Sequence, residues 1–160
     1  MRHRHPWLAL VLVGGLAACE DGPVVPPGDP LEARIAGSEH GGRPFPVPMT
    51  GAEEAPGPGD PDGSGTAFLT MNAGQEEVCW EITVADITLP ATAAHIHIGA
   101  AGEPGPPVVT LSAPDESART SGCADADREL IEAIFEDPSG YYVNVHTTDF
   151  PGGAVRGQLH

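Results

Sequence analysis

Residues 92–109, "TAAHIHIGAAGEPGPPVV", place His95 and His97 two residues apart, between small and β-branched residues and just before a Gly/Pro-rich loop. Side chains of a strand alternate between faces with a period of two, so His95 and His97 share one face while Ile96 and Ile98 share the other. The stretch reads as a two-faced strand, apolar on one side and imidazole-bearing on the other.

The same pattern recurs outward from it. "GTAFLTMNA" (65–73) and "EVCWEITVADI" (77–87) alternate apolar and polar residues across a short "GQE" turn. "PVVTL" follows the Gly/Pro loop, and "GYYVNVHTT" and "GAVRGQLH" close the chain around a "DFPGG" turn. One helix interrupts these strands: "DADRELIEAIFEDPSG" (125–140) sets Leu130, Ile131, Ile134 and Phe135 on one face. Asp125 or Asp127 serves as N-cap, and Pro138 with Gly140 ends it. These elements predict a mainly β domain, an antiparallel Greek-key-like sandwich or barrel with one short helix. Composition agrees: 21 Gly and 18 Pro in 160 residues break the chain into short pieces, and the length allows one core of ordinary size.

The chain has no lysine, and its seven arginines face 23 acidic residues for a formal net charge of -16. Such a surface repels phosphate backbones, which argues against nucleic acid as a partner and favours cations and basic surfaces. Serine residues lie in loops with no nucleophile elbow, so no hydrolase arrangement stands out. "GAAGEPG" has no following helix to present to a phosphate, and "DPDGSG" lacks the spaced acidic ligands of a calcium loop.

The first 19 residues read as targeting. Arg2 and Arg4 precede an apolar run from Trp7 to Leu16, too short to span a bilayer, and "LAAC" ends at Cys19. This resembles a bacterial lipoprotein signal (1–18) and implies acylation of Cys19. Residues 19–44, rich in Pro and Gly, read as a flexible tether, with the folded domain over 45–160. The expectation is an exported domain, lipid-anchored to a bacterial membrane and facing the periplasm or the cell exterior.

With Cys19 acylated, Cys79 and Cys123 remain. An even remainder in an oxidising compartment argues for a disulfide. The rival, a two-cysteine metal site, lacks any CxxC pair to build it.

In "YYVNVHTT", Val143 and Val145 share one face and Tyr142, Asn144 and His146 the other. Apolar faces pack inward, so His95, His97 and His146 are expected on outward faces, converging if their strands are neighbours. Three imidazoles held by rigid strands suit Cu(I), Cu(II) or Zn(II). The alternative makes all three structural, hydrogen-bonded to backbone groups around the Gly/Pro loop and the "TTDFPGG" turn. Asn144 and Arg156 are candidate supporting residues; Arg156 either guides an anion to a metal or pairs with a carboxylate.

Three segments together resemble the CHRD domain family, named for its occurrence in chordin: "MTGAEEAPGPGDPDGSGTAFLTM", "AAHIHIGAAGEPGPPVVTL" and "YYVNVHTTDFPGGAVRGQL", spanning roughly residues 47–159. The resemblance implies an extracytoplasmic β domain and little about activity. The chain departs from the commoner form where "EEAPGPGDPDGSG" replaces an "EVPP"-like segment and where Ala154 stands in place of a frequent acidic residue. The histidine pattern is also similar to the copper half of copper-zinc superoxide dismutases, although no further His/Asp cluster for a bridging zinc is present. Outside the trio, the exported chain has only His40 in the spacer and His160 at the C-terminus.

The leading expectation is a lipid-anchored envelope binding module, its ligand either copper or zinc at the three histidines or another envelope macromolecule. The competing expectations are a metal-dependent oxidoreductase and an adhesion or scaffold domain with structural histidines.

Overall fold

The structure is a computed structural model and describes residues 41–160. Cys19 and the segments read as signal peptide and as most of the tether lie outside the described residues. Eight strands follow in order: β1 (Arg43–Thr50), β2 (Ser64–Asn72), β3 (Glu77–Ala85), β4 (Ala93–Ile98), β5 (Pro107–Leu111), β6 (Arg119–Asp125), β7 (Tyr141–His146) and β8 (Val155–Gln158). Among the described residues one α-helix, α1 (Arg128–Glu136), lies between β6 and β7.

The strands form one antiparallel sheet in the order β5-β4-β7-β8-β1-β2-β3-β6. Its two ends return toward each other: Trp80 Nε1 donates to Ser112 Oγ at 3.2 Å, and Ser112 and Thr120 share a hydroxyl hydrogen bond of 2.6 Å. The result is a nearly closed, Greek-key-like barrel, with the β3–β4 and β6–β7 connections crossing between non-adjacent strands. One helix and one disulfide complete the expected architecture.

Period-two alternation decides what fills the barrel. Val78, Trp80, Ile82 and Val84 of β3 point inward, as do Ile96 of β4 and Val143 and Val145 of β7. Each such aliphatic side chain contributes roughly 1.5–3 kcal/mol by leaving water. Helix α1 caps one end through buried Ile131 and Ile134, and Phe135 stacks on Phe45 at 6.2 Å. Asp127 occupies the N-cap position of α1 without a side-chain capping bond.

Two segments differ from the sequence expectation. The sequence pattern marks no strand around Cys123, but residues 119–125 form β6, where Cys123 stands directly opposite Cys79. The inward positions of β6 are the small residues Thr120, Gly122 and Ala124, and Gly122 sits beneath the Trp80 indole, where a side chain would meet the ring, so no large apolar residue marks the strand. The disulfide Cys79–Cys123 therefore staples two neighbouring strands.

The second difference is β1, which takes in Arg43 and Pro44 from the end of the segment read as spacer. Phe45, Val47 and Met49 face the core while Pro44, Pro46 and Pro48 face out. Proline at every second position removes the amides along one edge of a strand. The ladder to β2 is complete over the length of β1, whereas β1 meets β8 at the single pair Thr50↔Arg156.

Candidate metal centre

Strands β4 and β7 pair with Ala93 opposite His146, His95 opposite Asn144 and His97 opposite Tyr142. The register brings the three histidines onto one patch of the outer face. His95 Nδ1 lies 3.2 Å from His146 Nε2, and the ring centroids are 5.4 Å (His95–His97), 5.2 Å (His95–His146) and 6.2 Å (His97–His146) apart. One nitrogen from each ring falls within 4.8 Å of the other two.

The other nitrogens are tied down. His97 Nδ1 donates to Gly105 O at 2.8 Å and His146 Nδ1 donates to Pro151 O at 3.0 Å. A carbonyl oxygen only accepts, so each bond fixes the Nδ1–H tautomer and leaves Nε2 an acceptor; His146 Nε2 therefore accepts from His95 Nδ1 at 3.2 Å. His97 Nε2 is buried and has no hydrogen-bond partner. The trio thus offers His97 Nε2 and His146 Nε2 as they stand, and His95 Nδ1 once its proton passes to its own Nε2, which frees both members of that hydrogen bond. Two nitrogens bound tetrahedrally at ~2.0–2.1 Å from a metal stand roughly 3.3 Å apart, which the His95–His146 separation already meets.

Burial holds the His95 and His146 imidazoles below the ordinary histidine range. Neighbouring ring charges add to this: His146 and then His97 for His95, and His97 for His146, where the Pro151 hydrogen bond opposes. Both rings are therefore biased toward the neutral, metal-ligating form.

The face that carries these residues was expected to be outward and solvated; in part it is buried. His97 is 7% exposed, Tyr142 3%, Asn144 2% and Arg156 1%. The loops at 51–63, 99–106 and 147–153 fold over β4, β7 and β8 and turn the polar face into a second, hydrogen-bonded interior. Tyr142 stacks on His97 at 4.8 Å with 9° between the planes, and the Arg156 guanidinium lies 3.4 Å from the Tyr142 ring centroid. Arg156 donates to Ala100 O, Glu103 O and Gln158 Oε1, while Gln158 Nε2 donates to Gly99 O, Ser139 O and Tyr141 O. With its donors engaged and its surface buried, Arg156 clamps the 99–106 loop and is not displayed to solvent as a guide for anions. The clamp positions Gly105, whose carbonyl orients His97.

Sequence reasoning did not single out Glu54, Tyr142, Gly105 or Pro151. Glu54 sits beside Arg156 and Asn144. Its carboxyl is raised to about 7, mainly by burial, against the lowering effects of Arg156, the Ala55 amide and Asn144. Its only signal is a carboxylate in the Gly/Pro segment that departs from the commoner family form. A second group of ligating side chains, Glu77 with Cys79 and Cys123, offers no thiolates because its sulfurs are bonded to each other. His160 makes only a 3.3 Å contact to Gln158 O and does not join the trio.

An eight-stranded antiparallel barrel bearing a convergent three-imidazole cluster under Gly/Pro loops defines the class of this domain. The CHRD domain family matches residues 45–159, and the chain belongs to that family. No curated protein and no solved structure matches it.

Proposed function

We propose that this CHRD domain is a transition-metal-binding module of the bacterial envelope, held at a membrane through acylated Cys19 and taking copper or zinc at His95, His97 and His146. The observation that supports it most is His97 Nε2, a buried nitrogen left without a partner near His146 Nε2, which the Pro151 bond keeps unprotonated. A purely structural role accounts for the two carbonyl bonds but leaves that nitrogen unexplained, and an unpaired buried polar atom is costly.

Copper or zinc bound there supplies a Lewis acid, and copper also a one-electron couple. The chain's own part is to hold three neutral imidazoles at fixed spacing. Gly105 O and Pro151 O orient two of the rings, Tyr142 packs against His97, and the Arg156 and Gln158 clamps keep the loop in place.

Titrating the full chain, purified in detergent, with Cu(I), Cu(II) and Zn(II) tests this, alongside the His95→Ala/His97→Ala/His146→Ala variant. One-to-one binding that disappears in the variant is expected; binding that is weak and equal in both chains would return the histidines to a structural role. Release of Cys19→Ser from the membrane fraction tests the anchor.

A further inference from the structure

Arg156 is buried and carries a charge it cannot lose, since a guanidinium stays protonated inside proteins. Its donors reach Ala100 O, Glu103 O and Gln158 Oε1, all of them neutral acceptors. The Glu54 carboxyl, which feels that charge, is itself raised to about 7 and is uncharged at lower pH. Carboxylates on the surrounding loops, Glu53, Glu103 and Asp149, are exposed, where water and salt screen them. Below the Glu54 value, the face that bears the histidines therefore encloses a positive charge answered by dipoles and not by a carboxylate.

That charge stands close to the ligand nitrogens. Tyr142 lies on β7, between His97 on β4 and Arg156 on β8; its ring is 4.8 Å from the His97 ring and 3.4 Å from the guanidinium carbon. Tyr142 is buried as well, so water does not fill the space between them. Among the described residues no carboxylate or thiolate joins the three imidazoles, and an ion bound by neutral nitrogens keeps its full charge. A divalent ion there meets twice the repulsion that a monovalent ion does. Resting on the metal reading above, we infer that the trio is a site for Cu(I), and that the Arg156 charge sets it against Cu(II) and Zn(II). Imidazole suits copper in both oxidation states, so the ligand type alone does not decide between them. The charge does: at an effective dielectric of about 20, unit charges about 10 Å apart change an equilibrium constant roughly tenfold. Arg156 is thus a specificity-determining residue that acts on the ion through its charge.

The full chain, purified in detergent, is titrated with Cu(I) under anaerobic conditions and with Cu(II) and Zn(II), each against a chelator of known affinity. The ratio of the Cu(I) to the Cu(II) affinity is the readout. The wild type should bind Cu(I) more tightly than either divalent ion. Arg156→Gln, measured at about pH 6, should lower the ratio roughly tenfold. Glu54→Gln should raise it by a similar factor at about pH 8, where the wild type sets a Glu54 carboxylate against the guanidinium. Gln158→Leu, which loosens the same loop and changes no charge, should weaken both oxidation states alike. Opposite shifts from the two charge-removing substitutions mark an electrostatic effect, which a merely structural clamp would not give. Tighter Cu(II) or Zn(II) than Cu(I) binding by the wild type overturns the inference, as does a ratio that Arg156→Gln moves no further than Gln158→Leu does; Glu54→Gln decides alone if Arg156→Gln does not fold. Failure of the metal reading shows separately, as Cu(I) binding that the triple-histidine variant retains, and it takes this inference with it.

Discussion

His97 Nδ1 lies 2.8 Å from the carbonyl oxygen of Gly105, so a ring on β4 is oriented by the loop that leaves β4 eight residues later. Gly105 also approaches the strand end closely: a Cβ there would fall 1.6 Å from Ile98 O. The backbone must move to admit any side chain, and His97 would lose its fixed tautomer. Gly105→Ala should therefore weaken Cu(II) or Zn(II) binding by about 10- to 100-fold, the usual cost of losing an outer partner of a ligating histidine. Gly152→Ala, where a Cβ meets nothing within 4 Å, is the matched control and should bind as the wild type does. Parallel metal titrations of the two variants check this, and equal affinities would separate the loop from the site.

Glu54 should make stability fall as pH rises. Its carboxyl is raised to about 7, so the folded state holds a proton that the unfolded chain releases near 4.5. The associated stability is complete below the unfolded value and is lost as pH rises through about 7. Glu54→Gln should match the wild type near pH 5 and exceed it by about 1–2 kcal/mol near pH 8, after discounting for partial exposure. Urea denaturation at both pH values measures this. A difference that is constant with pH would mean that Glu54 is ionised throughout, paired with Arg156.

His95 and His146 act in the opposite direction. Burial lowers both, so between their folded values and the ordinary 6.5 the unfolded chain binds more protons than the folded one. Their contribution is complete above 6.5 and is lost as pH falls through the lowered values. The metal-free protein should thus melt at progressively lower temperature as pH drops below 6.5, and His95→Asn/His146→Asn should flatten that limb. Retention of the full acid slope in the double variant would assign it to other groups.

The period of two in "AAHIHI" and "YYVNVH" was enough to place the three histidines on one face, because each strand packs aliphatic residues against the core. The same rule could not show what covers that face. Loops carry no periodicity, so the burial of Asn144 and Arg156, and the place of Glu54 beside them, follow from contacts between segments far apart in sequence. Two strands were masked for local reasons: β1 by prolines spaced to spare its ladder to β2, and β6 by Gly122, whose missing side chain makes room for Trp80. Cys79 and Cys123 were legible as a pair from their count and compartment, whereas their direct opposition required the β3–β6 register.

That opposition separates stability from metal binding. The disulfide joins β3 and β6, which are divided from β4 and β7 by β5 on one side and by β8, β1 and β2 on the other. Cross-linking positions 44 residues apart restricts the unfolded chain, and its loss should cost about 2–4 kcal/mol. Cys79→Ser/Cys123→Ser should therefore unfold at lower urea concentration with a midpoint that no longer responds to reductant. Under conditions where it remains folded, its copper and zinc affinities should equal those of the wild type, because no ligand and no loop partner of a ligand lies on β3 or β6. A variant that lost metal affinity in step with stability would show instead that the β3–β6 staple sets the geometry of the histidine face.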